Sequence, residues 1–76
     1  MPTPEEKQVL KLLAKEWKHT GPPGIMDISD IVSAVSLAPS ETMEAIKALF
    51  QSGLLDMNSL KTAAFLTAEG YEMCDM

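Results

Sequence analysis

Ile28-Ser-Asp-Ile-Val-Ser-Ala-Val-Ser-Leu-Ala-Pro-Ser-Glu-Thr-Met-Glu-Ala-Ile-Lys-Ala-Leu-Phe-Gln-Ser-Gly-Leu-Leu55 is the stretch whose reading decides the fold. Ile28, Ile31, Val32 and Val35 recur at i, i+3, i+4 and i+7, the spacing of a one-sided apolar helix face. Asp27 suits the cap, with Asp30 three residues later, so a short helix is expected over 27–36. Ser36-Leu37-Ala38-Pro39 interrupts it, because proline disfavours helical geometry in the residue before it. A further helix is expected over 39–52. At about 100° per residue, Thr42, Met43, Ile46, Leu49 and Phe50 share roughly a third of its circle. Ser40, Glu41, Glu44, Lys47, Ala48 and Gln51 take the other side. Gly53 supplies the left-handed residue that commonly closes a helix.

Outward from this stretch the pattern stays helical on one side and turns to a hairpin on the other. Thr3-Pro4-Glu5-Glu6 combines a cap, a first-turn proline and a carboxylate at the capping-box position. Val9, Leu10, Leu13 and Trp17 then recur at helical spacing, with Leu12 beside them, up to Gly21-Pro22-Pro23-Gly24. The expected helix covers 4–19. After Gly53, two short strands are expected within 54–66, joined at Asn58-Ser59 as a tight turn. The pattern leaves the facing of their side chains open. A short helix is expected over 67–73. The expected class is mostly α (α+β), with one domain spanning 1–76.

The order helix, helix, tight turn, helix, hairpin resembles a winged helix-turn-helix domain. Leu37-Ala38-Pro39-Ser40, Ile46, Leu49 and Gly53-Leu54-Leu55 are similar to the second half of prokaryotic repressors of the multiple-antibiotic-resistance and arsenical-resistance types. Phe65-Leu66-Thr67-Ala68-Glu69-Gly70 resembles the Leu-Thr-x-x-Gly stretch that often closes their wing. The resemblance covers roughly residues 5 to 73 and is specific to the fold, not to one family. It implies three helices, a two-stranded wing and a short final helix. It further implies transcription regulation, with the third helix in the major groove. By that resemblance the contacts to double-stranded DNA would come from Ser40, Glu41, Glu44 and Ala45. Lys47 and Ala48 lie further along, and Lys61 lies in the wing.

Charge argues the other way. The 76 residues carry a net charge of −5, and all six cationic residues are lysines. Arginine is the usual tool for bidentate recognition of phosphate and guanine. An acidic chain also gains little from counterion release. Residues 1–19 hold four lysines against three glutamates, a balance of +1; residues 20–76 hold Lys47 and Lys61 against eight acids, a balance of −6. Glu41 and Glu44 fit a helix start, where negative charge suits the helix dipole. Lys7, Lys11, Lys15 and Lys18 fall within about 80° of arc on the first helix. They are either its solvated back or a basic stripe for an acidic partner or a nucleic-acid backbone contact.

Composition excludes several function classes. The 46% apolar and 22% charged fractions are those of an ordinary globular chain. No apolar run approaches the roughly 20 residues that span a bilayer, and Met1-Pro-Thr-Pro-Glu-Glu lacks the features of a secretory signal. Cys74 is the only cysteine, an incidental thiol that fits a reducing cytoplasm. His19 suits the C-terminal end of a helix; one histidine and one distant cysteine give no zinc spacing. No nucleophile motif frames the serines, and Gly21-Pro22-Pro23-Gly24 lacks the amide donors of a phosphate loop. The wing holds no cysteine for an iron–sulfur cluster. No enzymatic activity, metal or cofactor is expected.

Trp17 and Met43 are expected in the core. Met57, Tyr71 and Met73, if exposed together, would form an apolar patch for a protein partner or a second copy. A weak homodimer would have to use the first helix or the short tail. Two functions stand at this point: a small DNA-binding transcriptional regulator, and an acidic protein-interaction module that kept the fold and lost the cationic surface.

Overall fold

The computed structural model describes residues 2–21 and 24–74. Helix α1 runs Pro4–Thr20, and its start matches the reading of the sequence. The Thr3 hydroxyl oxygen accepts from the Glu6 amide at 3.2 Å and donates to the Glu6 carboxylate at 3.1 Å. Glu6 thus engages the cap hydroxyl instead of the cap amide of a full capping box. Gly21, at φ +90°, ends the helix, its amide bonded to the Trp17 carbonyl at 2.9 Å.

Helix α2, Ile28–Ala34, and helix α3, Pro39–Gln51, are separate, so 28–52 is neither one rod nor a strand. α2 is shorter than the expected 27–36. Val35 is already extended at φ −88° and ψ 156°, and the Ser36 amide is drawn to the Gln8 side chain at 3.2 Å. Asp27 stands at the cap position with no side-chain cap bond. The Ile28 amide goes instead to the Thr62 carbonyl at 2.9 Å.

Met26–Asp27 forms a short strand, β1, which the reading of the sequence did not foresee. Two residues are too few to show a period of two. β2 is Leu55–Met57 and β3 is Ala63–Leu66. β3 lies in the centre of an antiparallel sheet, with Met26 opposite Ala64, and Leu55 opposite Leu66. The register settles the facing: Leu55 and Leu66 are buried as a pair, and Asp56 is exposed opposite half-buried Phe65.

The core is built from Val9, Leu10 and Leu13 of α1, Ile31 of α2, Ile46 and Leu49 of α3, and Leu55, Ala64 and Leu66 of the sheet. Thr42 is its one buried polar side chain among the described residues, and its hydroxyl bonds the Ala38 carbonyl at 3.0 Å. Trp17 is half-buried and stacks on Tyr71 with ring centroids 4.6 Å apart. Met43 is half-buried against the core.

One junction closes α3, opens the hairpin and seats the last helix, α4, Ala68–Cys74. Gly53, at φ +81°, bonds the Phe50 carbonyl at 3.2 Å, and the Leu54 amide bonds that of Leu49 at 3.0 Å. This is the paired bonding of a Schellman ending. The Thr67 hydroxyl donates to the Gly53 carbonyl at 2.7 Å and accepts from the Gly70 amide at 3.1 Å. The Thr67 amide reaches the Leu54 carbonyl at 3.3 Å. A Cβ on Gly70 would overlap the Leu54 carbonyl, whereas one on Gly53 would meet nothing. The Leu-Thr-x-x-Gly stretch therefore has a mechanical meaning here: a cap that is also a strut, followed by a contact only glycine fits.

Gly70→Ala must displace α4 from Leu54 and is expected to cost ~2–3 kcal/mol or more, the upper end of the usual range for overpacking. Gly53→Ala pays only the left-handed penalty of ~1–2 kcal/mol. Urea midpoints of the two variants test this; equal losses would show that close approach is not what Gly70 provides.

Candidate binding surfaces

The free side of α3 carries Ser40, Glu41, Glu44, Lys47 and Gln51, all exposed, with Ala48 half-buried. Ala45 does not belong with them. It is 5% exposed and part of the core, so it cannot reach a base edge. It lines a groove together with Glu5 and Glu6 of α1, so it lies on the α3 flank nearer that helix. Phe50 errs in the opposite sense: grouped with the core by periodicity, it is 40% exposed. At about 100° per residue it lies on the opposite edge of the buried arc from Ala45.

The α1 side of α3 opens into a groove of about 360 Å³ lined by Thr3, Glu5, Glu6, Glu41, Glu44 and the alanines 45 and 48. Four carboxylates thus border the surface that a DNA-reading helix would present. Glu5 and Glu6 join it only through the packing of α1 on α3, which no local pattern reveals. Glu41 has a structural task as well: its carboxylate accepts the Ala38 amide at 3.1 Å at the helix start. Negative charge in this first turn also suits the helix dipole.

The hairpin tip differs from the expected two-residue turn at Asn58-Ser59. Residues 58–62 form the connection, and β3 begins only at Ala63. Asn58 organises it: its side-chain oxygen accepts from the amides of Thr62 at 2.8 Å and Ala63 at 3.1 Å. Its amide nitrogen donates to the Thr62 hydroxyl at 2.9 Å, and its carbonyl accepts from the Lys61 amide at 2.9 Å. Lys61 is exposed and held at φ +57°. Beside it Leu60, expected within a strand, is 80% exposed at the tip.

On α1, Lys7, Lys11, Lys15 and Lys18 are all exposed. Three of them, Lys11, Lys15 and Lys18, rim a cleft of about 300 Å³ against α4, with Ala14, Tyr71 and Cys74. The Cys74 thiol donates to the Leu10 carbonyl at 3.3 Å. His19 is exposed in the last turn of α1. Met57, Tyr71 and Met73 are half-buried against the core; Tyr71 lines the cleft beside Lys11, Lys15 and Lys18, and Met73 lines a separate depression with Glu6, Ala48 and Leu54. Among the described residues, no helix is long and apolar enough to cross a membrane. The sequence matches no family model and no curated protein.

Asn58→Ala removes the bonds that shape the hairpin tip. It should lower stability by ~1–2 kcal/mol and speed hydrogen exchange at the Thr62 and Ala63 amides. Lys61→Gly relieves the left-handed residue and should stay within ~1 kcal/mol of the native stability, in either direction. Unchanged exchange at Thr62 in Asn58→Ala would contradict the clamp.

Proposed function

We propose that this chain is a winged helix-turn-helix domain working as a protein-interaction module, and that it docks a partner with a basic surface along α3. The fold part of the reading is supported by the order helix, helix, turn, helix, hairpin, short helix. It is supported too by the Gly53-Leu54 exit from α3 and the Thr67–Gly70 closure of the hairpin.

The observation that carries the functional part is the chemistry of the free side of α3. Glu41 and Glu44 face outward there, and Glu5 and Glu6 border the same groove. Against a DNA duplex these four carboxylates would add repulsion from the phosphates. Lys47 would be the one cation of the helix set against them. Against a basic protein surface the same groups give charge complementarity, which steers encounter and suppresses wrong partners. Leu60 adds an apolar side chain on a loop already shaped by Asn58, so little ordering is lost when it is covered.

A DNA-binding transcriptional regulator is the second reading, and one observation favours it. Both the outward residues at the start of α3 and the hairpin tip with Lys61 are uncovered, the two elements such domains use on a duplex. In that reading Lys47 and Lys61 touch phosphates, while Ser40, Glu41, Glu44 and Ala48 face base edges.

One pair of experiments separates the two. A random duplex pool at low ionic strength is expected to leave no salt-dependent retention on the protein. A photo-crosslinker at Gln51 is expected to capture a discrete protein from the native cell extract, and Glu6→Lys with Glu44→Lys should abolish the capture. Retention of duplex that falls with salt, and falls further in Lys47→Glu or Lys61→Glu, would establish the DNA reading instead.

A further inference from the structure

We propose that the outer face of α1 and the adjoining edge of α4 form a second docking surface, which takes an acidic helical segment of a partner protein. This surface is separate from the free side of α3 and does not depend on what binds there.

Lys7, Lys11, Lys15 and Lys18 are exposed and follow one another along about 16 Å of helix. A row of lysines alone is an ordinary solvated helix back. What changes its meaning is the cleft between α1 and α4, which the sequence pattern does not reveal. Lys11, Lys15 and Lys18 stand around a depression of about 300 Å³ into which Ala14 and Tyr71 face. Ala14 is 8% exposed, and the Tyr71 ring is held in place by its stack on Trp17. The result is a small, mostly apolar floor bordered by three lysines. Such a floor costs little ordering on binding, and flexible lysine stems can lie along it while their charges stay at the rim.

The chemistry of the occupant follows from reach. Nucleic acid and anionic membranes are extended polyanions whose charge continues beyond the stripe. They would bring negative charge within a Debye length, about 8 Å at physiological salt, of neighbouring acidic surfaces. The domain carries −5 overall and −6 over residues 20–76, so such an approach is opposed. A short segment with carboxylates only along the stripe avoids that repulsion. The lysines are spaced four, four and three residues apart. An antiparallel helix with carboxylates spaced three, four and four apart meets each in turn. Alanine or leucine between the carboxylates covers the apolar floor, which a phosphate would leave unused.

The test is a titration of the isotope-labelled full chain, followed by backbone NMR at low ionic strength. The probe is an alanine-based peptide of about 15 residues with four glutamates at the matching spacing, long enough for marginal helix formation. A peptide of the same composition with its four glutamates contiguous is the control. The matched peptide should perturb amides over 7–18 and 71–74, with binding that weakens as salt is raised. Lys11→Glu with Lys15→Glu should reduce affinity at least ~10-fold, while Lys47→Glu with Lys61→Glu should leave it unchanged. Circular dichroism of both double variants checks that the exposed substitutions leave the fold intact. Absence of shifts would overturn the proposal, as would equal binding of the contiguous peptide. So would stronger binding at these lysines by a short DNA duplex or by phosphatidylglycerol vesicles. The same shifts appearing with protein concentration alone would replace the peptide with a second copy of this chain.

Discussion

The backbone of Leu54 is the point on which the rest of the structure depends. Its amide terminates α3 through Leu49, its carbonyl accepts the Thr67 amide, and Gly70 lies directly against it. The Thr67 hydroxyl adds a strut to Gly53 and caps α4. The end of α3, the start of the hairpin and the first turn of α4, which follows only after the hairpin, thus share one short piece of main chain. For a domain of this size, with an expected stability of roughly 4–11 kcal/mol, such a junction is a large fraction of the total. It fixes where α3 ends, which way the hairpin leaves, and where α4 lies against α1.

That geometry sorts the charges. α3 is held with its buried arc on α1 and its outer arc free, so the carboxylates of both helices meet in one groove. The lysines of α1 turn outward, and α4 supplies the other wall of their cleft. A chain with a modest net charge thereby presents an acidic surface and a basic one. The proposed roles follow from this separation more than from the net value, because screening confines each surface to partners within about a Debye length.

Much of the frame was legible in the sequence, and the failures have physical causes. The break at Ala38-Pro39 was readable because proline acts on its neighbour whatever the tertiary context. The start of α1 was readable because Thr3 and Glu6 interact locally. β1 was invisible, since a two-residue strand exists only by virtue of β3. Ala45 and Phe50 were misassigned because helical period gives an arc, while the direction of the neighbouring helix decides which edge of it is covered. The Asn58 clamp was missed because its partners, Thr62 and Ala63, lie outside the span of a two-residue turn. Of the candidate surfaces, the stripe of lysines could be read from spacing; the groove beside Glu5 and Glu6 and the cleft at Tyr71 could not, since each needs two helices.

Native-state hydrogen exchange at single-residue resolution tests the keystone role of this junction most directly. If the junction holds the domain together, the Leu54, Thr67 and Gly70 amides exchange only through global unfolding, with the same opening free energy as the amides of Leu13 and Ile46. Opening of those three amides at a much lower free energy, while the α1 and α3 amides stay protected, would contradict it.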